Sequence, residues 1–230
     1  MEYFVDQLGN GIVMGGVYAL IALGYTLIYG VLQFLNLAHG EVYMMGAFFG
    51  FYTMTLLGGP ASPTIPVPLM IVAMFLIAMA GSALLGIAIE RFAYRPLRKS
   101  SRLAPLISAL GVSIFLQNAA LLLFGARVRL YDTGQFINLR EGVRILGARF
   151  DITEIMVVIG ALLLMVGLFL LVNRTQLGRS MRAVAVDQDA AVMNGIDVDR
   201  TVVWTFGIAS ALAGAAGVMS GLLLYPIDQY

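Results

Sequence analysis

Long apolar runs, separated by short polar segments, organise the whole chain. Each run is close to the roughly 20 residues that an α-helix needs to cross the hydrocarbon core of a bilayer. A strand of a membrane barrel would instead alternate apolar and polar residues over about 10 positions. The pattern therefore predicts an all-α, polytopic transmembrane helix bundle that forms one domain over residues 1–230. Six spans are expected, near 11–32, 40–57, 67–89, 103–124, 154–172 and 201–224.

Composition supports a membrane protein. Hydrophobic residues make up 60% of the 230 residues and charged residues only 12%, whereas soluble domains are about 45–50% apolar even with glycine counted. The net charge of +1 says little about partners, and the absence of cysteine excludes disulfides and thiolate metal sites. Glu2 and Asp6 stand where a cleaved signal peptide would be positive, so we expect the first helix to be retained.

The basic segment 90–102 sets the orientation. It has five positive charges and one acid in thirteen residues, which is typical of a cytoplasmic loop. Alternation from there places 33–39 and 173–200 inside, and the N-terminus and 125–153 outside. The last of these loops is the least regular, because its acids balance its arginines only in part. Those arginines are Arg127, Arg129, Arg140, Arg144 and Arg149.

The stretch "NLAHGEVYMMGA" brings polar residues into an apolar region. It holds Asn36, Glu41 and the only histidine of the chain, His39. Asn36 could cap the second helix with Glu41 in its first turn, where the helix dipole favours an acid. That interpretation leaves His39 unexplained. In the alternative, the three residues line a path or gate at an interrupted membrane helix.

The fourth predicted helix also carries polar residues at membrane depth. They are Ser108, Ser113, Gln117 and Asn118, beside Pro105 and Gly111, which can interrupt a helix. Such residues usually face a bundle interior or an aqueous path. The candidate path or gate residues are therefore Asn36, His39, Glu41, Gln117 and Asn118.

Small residues recur at four-residue intervals in the last helix, at Ala209, Ala213, Gly217 and Gly221. Such ridges let helix backbones approach closely in a bilayer. Packing within the bundle is the favoured interpretation, and a dimer interface is the alternative.

The segment 173–201 cannot span a membrane. Its pattern predicts an amphipathic helix over 178–195 that ends at Gly195 as a C-cap. Such a helix rests on lipid or docks into a groove of a partner. Its arginines are balanced by Asp187 and Asp189, so it lacks the basic face that anionic lipid attracts. Docking on a partner is therefore favoured.

Several stretches resemble a known family. "DAAVMNG" is similar to the Glu-Ala-Ala-x-x-x-Gly signature of bacterial ABC-importer permeases, with Asp189 in place of Glu. Together with "GGVYALIALGYTLIYGVLQFLNLAHGEVYMMGA", "IERFAYRPLR", "LISALGVSIFLQN" and "LGRSMRAVAVDQDAAVMNGID", it resembles permeases of high-affinity branched-chain amino acid importers of the LivH type. The resemblance covers nearly the whole chain.

This resemblance implies an assembly in a bacterial inner (plasma) membrane. Its parts would be a second permease subunit, two cytoplasmic ATPase subunits and a periplasmic or extracellular substrate-binding protein. The 125–153 loop would receive the binding protein or, in the alternative, would be a solvated loop. A coupling helix would fit a cleft on the ATPase. The residues expected to couple are Gly178, Arg179, Arg182, Asp187, Asp189, Ala190, Ala191 and Gly195.

The chain itself has no loop for a nucleotide. Its only lysine, Lys99, follows Arg98 rather than glycine, so the phosphate-cradling motif is absent. ATP would then be bound by the partner ATPases. We expect no cofactor, no metal site, no nucleic acid partner and no catalytic residue in this chain, which is not expected to be an enzyme.

Other functions stay open. A permease for urea or short-chain amides would resemble this chain closely, and an ion- or proton-coupled secondary transporter would also carry polar residues at membrane depth. An intramembrane enzyme would have to rely on His39 and Glu41 alone. Members of the resembled family continue through further spans beyond the last helix, so we expect a C-terminal truncation at Tyr230.

Overall fold

The computed structural model describes residues 2–59, 63–98, 100, 103–126, 131, 142–145 and 148–223. Helices dominate these ranges, as predicted. They are α1 (Glu2–Leu32), α2 (His39–Leu56), α3 (Val67–Ile89), α4 (Leu103–Phe124), α5 (Ile152–Arg174), α6 (Gln176–Val186), α7 (Gln188–Met193) and α8 (Val198–Leu223). Helix α3 continues through a π-helical turn, Glu90–Tyr94, and a 3-10 turn, Arg95–Leu97. The all-α, polytopic bundle is confirmed.

Five helical segments in the described ranges are long and apolar enough to cross a membrane. They are Tyr3–Leu32, Val67–Leu97, Leu103–Phe124, Ile152–Arg174 and Val198–Leu223. Helix α2 is not among these five. It has 18 residues and begins with His39 and Glu41, which shorten its apolar part. The sixth predicted span therefore stays a prediction.

Helix α8 is the central helix of the bundle. Of its most apolar window, 78% is buried, against 17% in α4 and α5. It packs against α1, α2 and α3, and its small residues make this possible. Ala209 and Ala213 are fully buried, and a Cβ at Gly217 would lie 2.5 Å from the carbonyl oxygen of Tyr43. The small-residue ridge of α8 therefore serves packing within the bundle.

The loop between α4 and α5 differs from the all-helical expectation where it is described. Val143–Ile145 (β1) and Ala148–Phe150 (β2) pair as an antiparallel hairpin, with Arg144 opposite Arg149. The side chains of these two arginines, and all of Arg127, Arg129 and Arg140, lie outside the described residues. The predicted role of the loop in receiving a binding protein stays a prediction.

Candidate functional site

Helix α2 begins well inside the depth of the bundle. After α1 ends at Leu32, Gln33 adopts a left-handed backbone conformation with φ +57°, and the chain folds back. The His39 ring then packs edge-on against Tyr25, with ring centroids 4.6 Å apart. Tyr25 lies seven residues before the end of α1, which is about 10 Å along the helix axis. The 33–38 segment is therefore a re-entrant turn, in which Asn36 and Ala38 are buried while Gln33, Leu35 and Leu37 stay exposed.

Asn36 stabilises this turn. It is buried, and its Oδ1 accepts hydrogen bonds from the Ala38 amide at 3.1 Å and from the Tyr94 hydroxyl at 2.7 Å. The N-cap of α2 is Ala38, which makes no side-chain cap. The interpretation in which Asn36 caps the second helix is thus wrong, because its side chain closes the turn before the helix and ties it to the end of α3. Its other part is confirmed, since Glu41 lies in the first turn of α2.

His39 is fully buried between α1 and α8. Neither ring nitrogen has a hydrogen-bond partner among the described residues. A Cβ at Gly24 would lie 2.5 Å from Nε2 of His39 and 3.0 Å from the carbonyl oxygen of Ala209. The imidazole therefore fills a space that exists only because residue 24 has no side chain. Sequence reasoning found His39 but not its dependence on Gly24.

We expect Gly24→Ala to lower the free energy of unfolding by about 1–3 kcal/mol, the usual cost of overpacking a buried site. The added methyl group must displace His39 or a backbone carbonyl. Denaturant unfolding in detergent, followed through the fluorescence of Trp204, the only tryptophan, measures this change. Gly30→Ala is the matched control on α1, because a Cβ there meets nothing within 4 Å in the described structure. Equal stability of the two variants would contradict the tight contact.

Glu41 faces a different helix from His39, as their spacing predicts. Its Oε1 accepts hydrogen bonds from Oγ of Ser113 at 2.9 Å and from Nε2 of Gln117 at 2.7 Å. The structure thus joins two of the predicted path residues, Glu41 and Gln117, across α2 and α4. Asn118 is not part of this group, because its amide donates to the carbonyl of Ile114 in its own helix.

A charged cluster lies at the end of α3. Glu90 is fully buried and pairs with Arg98, and Nη1 of Arg98 is 2.8 Å from Asp199 in the first turn of α8. Arg95 also contacts Asp199, at 2.5 Å. Sequence analysis used this basic segment for orientation and missed its role in packing. The signal that could have revealed this role is Glu90, an acid at the end of an apolar helix that a run of basic residues follows.

The 90–98 segment links this cluster to the re-entrant turn. Arg95 and Arg98 form ion pairs with Asp199 at the start of α8. Tyr94, which precedes Arg95 in the chain, donates a hydrogen bond from its hydroxyl to Asn36. The hydroxyl of Ser108 in α4 donates to the Ala93 carbonyl at 3.1 Å. One short segment therefore contacts α4, α8 and the turn that precedes α2.

The predicted coupling helix, 178–195, consists of two helices. Asp187 has an extended backbone that ends α6, and its carboxylate caps α7 by accepting from the amides of Asp189 at 2.9 Å and Ala190 at 3.0 Å. Gly195 has φ +78°, as a C-cap requires. Gly178 is buried, and a side chain there would collide with carbonyl oxygens at the end of α5.

The apolar residues of this segment lie in two different environments. Ala191 is buried against the bundle together with Met181 and Val184. Arg179 is exposed, and Arg182 donates to the carbonyl of Val172. The exposed apolar residues are Val186, Val192 and Met193, which we call the α6–α7 apolar patch; their exposed fractions are 88%, 59% and 87%. Sequence reasoning missed this patch because it assumed one continuous helix. The break at Asp187 changes which residues of α7 face outward, and helical periodicity does not show that change.

Comparison with known proteins gives a consistent family. A family model described as the permease component of branched-chain amino acid transport systems matches residues 7–227. The high-affinity branched-chain amino acid transport system permease protein BraD of Pseudomonas aeruginosa is 40% identical over 223 residues, which cover 96% of this chain and 71% of the relative. The permease protein LivH of the corresponding system of Escherichia coli (strain K12) is 38% identical, over 99% of this chain and 74% of the relative.

A more distant relative comes from an archaeon. The probable branched-chain amino acid transport permease protein LivH of Methanocaldococcus jannaschii is 27% identical over 217 residues, with 91% of this chain and 64% of the relative covered. No solved structure matches the chain significantly.

Proposed function

The chain belongs to the family of permease components of branched-chain amino acid transport systems, and we propose that it translocates these amino acids as one subunit of an ABC importer. It is a multi-pass membrane protein, and the bacterial inner membrane is its proposed location. The family match over residues 7–227 is the observation that carries the proposal.

The energy for transport would come from partners. Two cytoplasmic ATPase subunits would bind ATP, and a second permease subunit would complete the membrane part. The α6–α7 apolar patch supports a docking role, since Val186 and Met193 are almost fully exposed outside the spans. Apolar side chains at that level of exposure are stabilised when a partner covers them.

The 90–98 segment offers a route for the movement of α6 and α7. Helix α8 begins five residues after α7 ends, and its Asp199 is held by Arg95 and Arg98. The same segment donates from Tyr94 to Asn36. A shift of the coupling segment would therefore act on the re-entrant turn through packed, charged and hydrogen-bonded contacts.

The path or gate would lie at the start of α2. Asn36, His39, Glu41 and Gln117 are the residues proposed for it, and Glu41 with Gln117 has the strongest support because polar groups from two helices meet there. Asn118 has weaker support, since its amide bonds its own helix. An external binding protein would deliver the substrate on the side of the 125–153 loop.

ATP-dependent uptake by the whole assembly tests this function. We expect the assembly purified from its native host and reconstituted with its binding protein to accumulate leucine with ATP and not with a non-hydrolysable analogue. Urea is the comparison substrate. Leucine uptake that does not depend on ATP would replace the importer by a secondary transporter, and uptake of urea without leucine would change the substrate class.

A further inference from the structure

We propose that the carboxylate of Glu41 binds the α-ammonium group of the transported amino acid. The inference rests on the proposed function and assigns one residue to substrate recognition. It begins from the hydrogen bonds of this carboxylate. Oε1 accepts from Ser113 and Gln117, at 2.9 and 2.7 Å, and both donors are neutral. They orient the carboxylate without compensating a negative charge.

No cation in the described part of the chain pairs with Glu41. The ion pairs found there join Glu90 and Asp199 to Arg95 and Arg98, at the end of α3. Glu41 is half-buried, and its hydrogen bonds in the described part of the chain both go to Oε1. The carboxylate is therefore oriented through Oε1, while Oε2 has no hydrogen-bond partner among the described residues.

Glu41 lies at a depth in the bundle where a carboxylate without a cationic partner is costly. Gln117 lies fourteen residues after the start of α4, about 21 Å along a helix of 22 residues. Glu41 contacts it there, about 10 Å before α4 ends at Phe124. Ionisable groups at such depth are costly and mark pathways or ligand sites, because lipid gives them no solvation. A substrate that brings a positive charge would stabilise Glu41 in this position.

The surroundings fit an ammonium group attached to an aliphatic chain. Ile114 and Leu121 lie about one turn from Gln117 on either side along α4. Their exposed fractions are 60% and 51%, so both lie on the open surface of the chain. The face of α4 that carries Gln117, the partner of the carboxylate, thus also carries branched apolar side chains. An α-amino acid with a branched apolar side chain has groups complementary to the carboxylate and to these side chains.

Substitution by glutamine separates charge recognition from a purely structural bond. Glu41→Gln keeps an oxygen that accepts from Ser113 and Gln117, so the link between α2 and α4 survives. It removes only the negative charge. Asp6→Asn is the matched control, because it also replaces a partly buried acid by its amide, at a position on α1 outside the proposed path and the coupling segment.

The experiment measures ligand retention by the purified permease–ATPase assembly without the binding protein. The probes are leucine and 4-methylpentanoate, which has the same aliphatic chain and carboxylate but no ammonium. We expect the parent to prefer leucine. Glu41→Gln should lower leucine retention by about 10- to 100-fold, the factor for losing a hydrogen bond to a charged group. It should leave retention of 4-methylpentanoate unchanged, and Asp6→Asn should keep the parent's preference.

Three results would overturn the inference alone, in a preparation that still takes up leucine with ATP. In the first, the parent retains no leucine or retains it no better than 4-methylpentanoate. In the second, Glu41→Gln prefers leucine as strongly as the parent does. In the third, the assembly with Glu41→Gln loses the second permease subunit. The third result would mean that Glu41 pairs with a positively charged side chain of the second permease subunit and not with substrate. Absence of ATP-dependent leucine uptake by the reconstituted parent would instead overturn the proposed function, and this inference with it.

Discussion

We expect Arg98→Leu to lower the free energy of unfolding by about 3–5 kcal/mol, the usual cost of leaving a buried charge without its partner. Glu90 is fully buried, and Arg98 is its partner among the described residues. The substitution also removes the contact between Arg98 and Asp199. Denaturant unfolding in detergent, followed through Trp204, measures the loss.

Arg95→Leu provides the control for this prediction. Arg95 and Asp199 are 43% and 52% exposed, and such pairs contribute about 0–1 kcal/mol. The double variant Glu90→Leu/Arg98→Leu should recover part of the stability lost in Arg98→Leu, since the orphaned carboxylate is gone. If Arg98→Leu and Arg95→Leu cost the same, Glu90 is not held as a buried ion pair.

Met193→Glu combined with Val186→Glu should abolish co-purification of the ATPase subunits and, with it, ATP-dependent uptake. Both residues belong to the α6–α7 apolar patch, which we propose to be covered by the ATPase. A charge in the centre of such an interface costs about 2 kcal/mol or more in binding. The measurement is the amount of ATPase recovered with the permease after gentle solubilisation.

Gln176→Glu is the control for this experiment. It adds a negative charge to the same cytoplasmic segment at an exposed position outside the apolar patch. If the double variant and Gln176→Glu recover the same amount of ATPase, the ATPase does not cover the apolar patch. The patch then rests on lipid or stays in water. Ala191→Arg is a poorer test, because Ala191 is buried against the bundle and its replacement would disturb the permease itself.

The positions of the long helices could be predicted because an unpaired backbone group inside the bilayer is energetically costly. Backbone groups inside lipid must be paired within a helix, so a span continues until the chain reaches water. For this reason the predicted bounds of α3 and α4, 67–89 and 103–124, are those of the structure. The prediction was weaker for α1, which begins nine residues earlier, at Glu2, since a helix can extend into water beyond the membrane.

The polar residues show where this kind of prediction ends. His39, Glu41 and Gln117 stand out in the sequence because they are costly in lipid, and sequence analysis found all three. Which of them meet depends on how α2 and α4 are placed side by side, and no local pattern contains that information. The role of Asn36 depends likewise on Tyr94, a residue 58 positions away.

By itself, the sequence determined that this protein is a helical membrane permease, because hydrophobic length and local motifs are properties of neighbouring residues. Only the tertiary structure decided that α2 starts at a re-entrant turn, that Glu90 and Arg98 form a buried pair, and that Ala191 faces the bundle while Met193 faces outward. These features arise from contacts between distant segments. Their free energy depends on the packing of whole helices, which a linear pattern does not record.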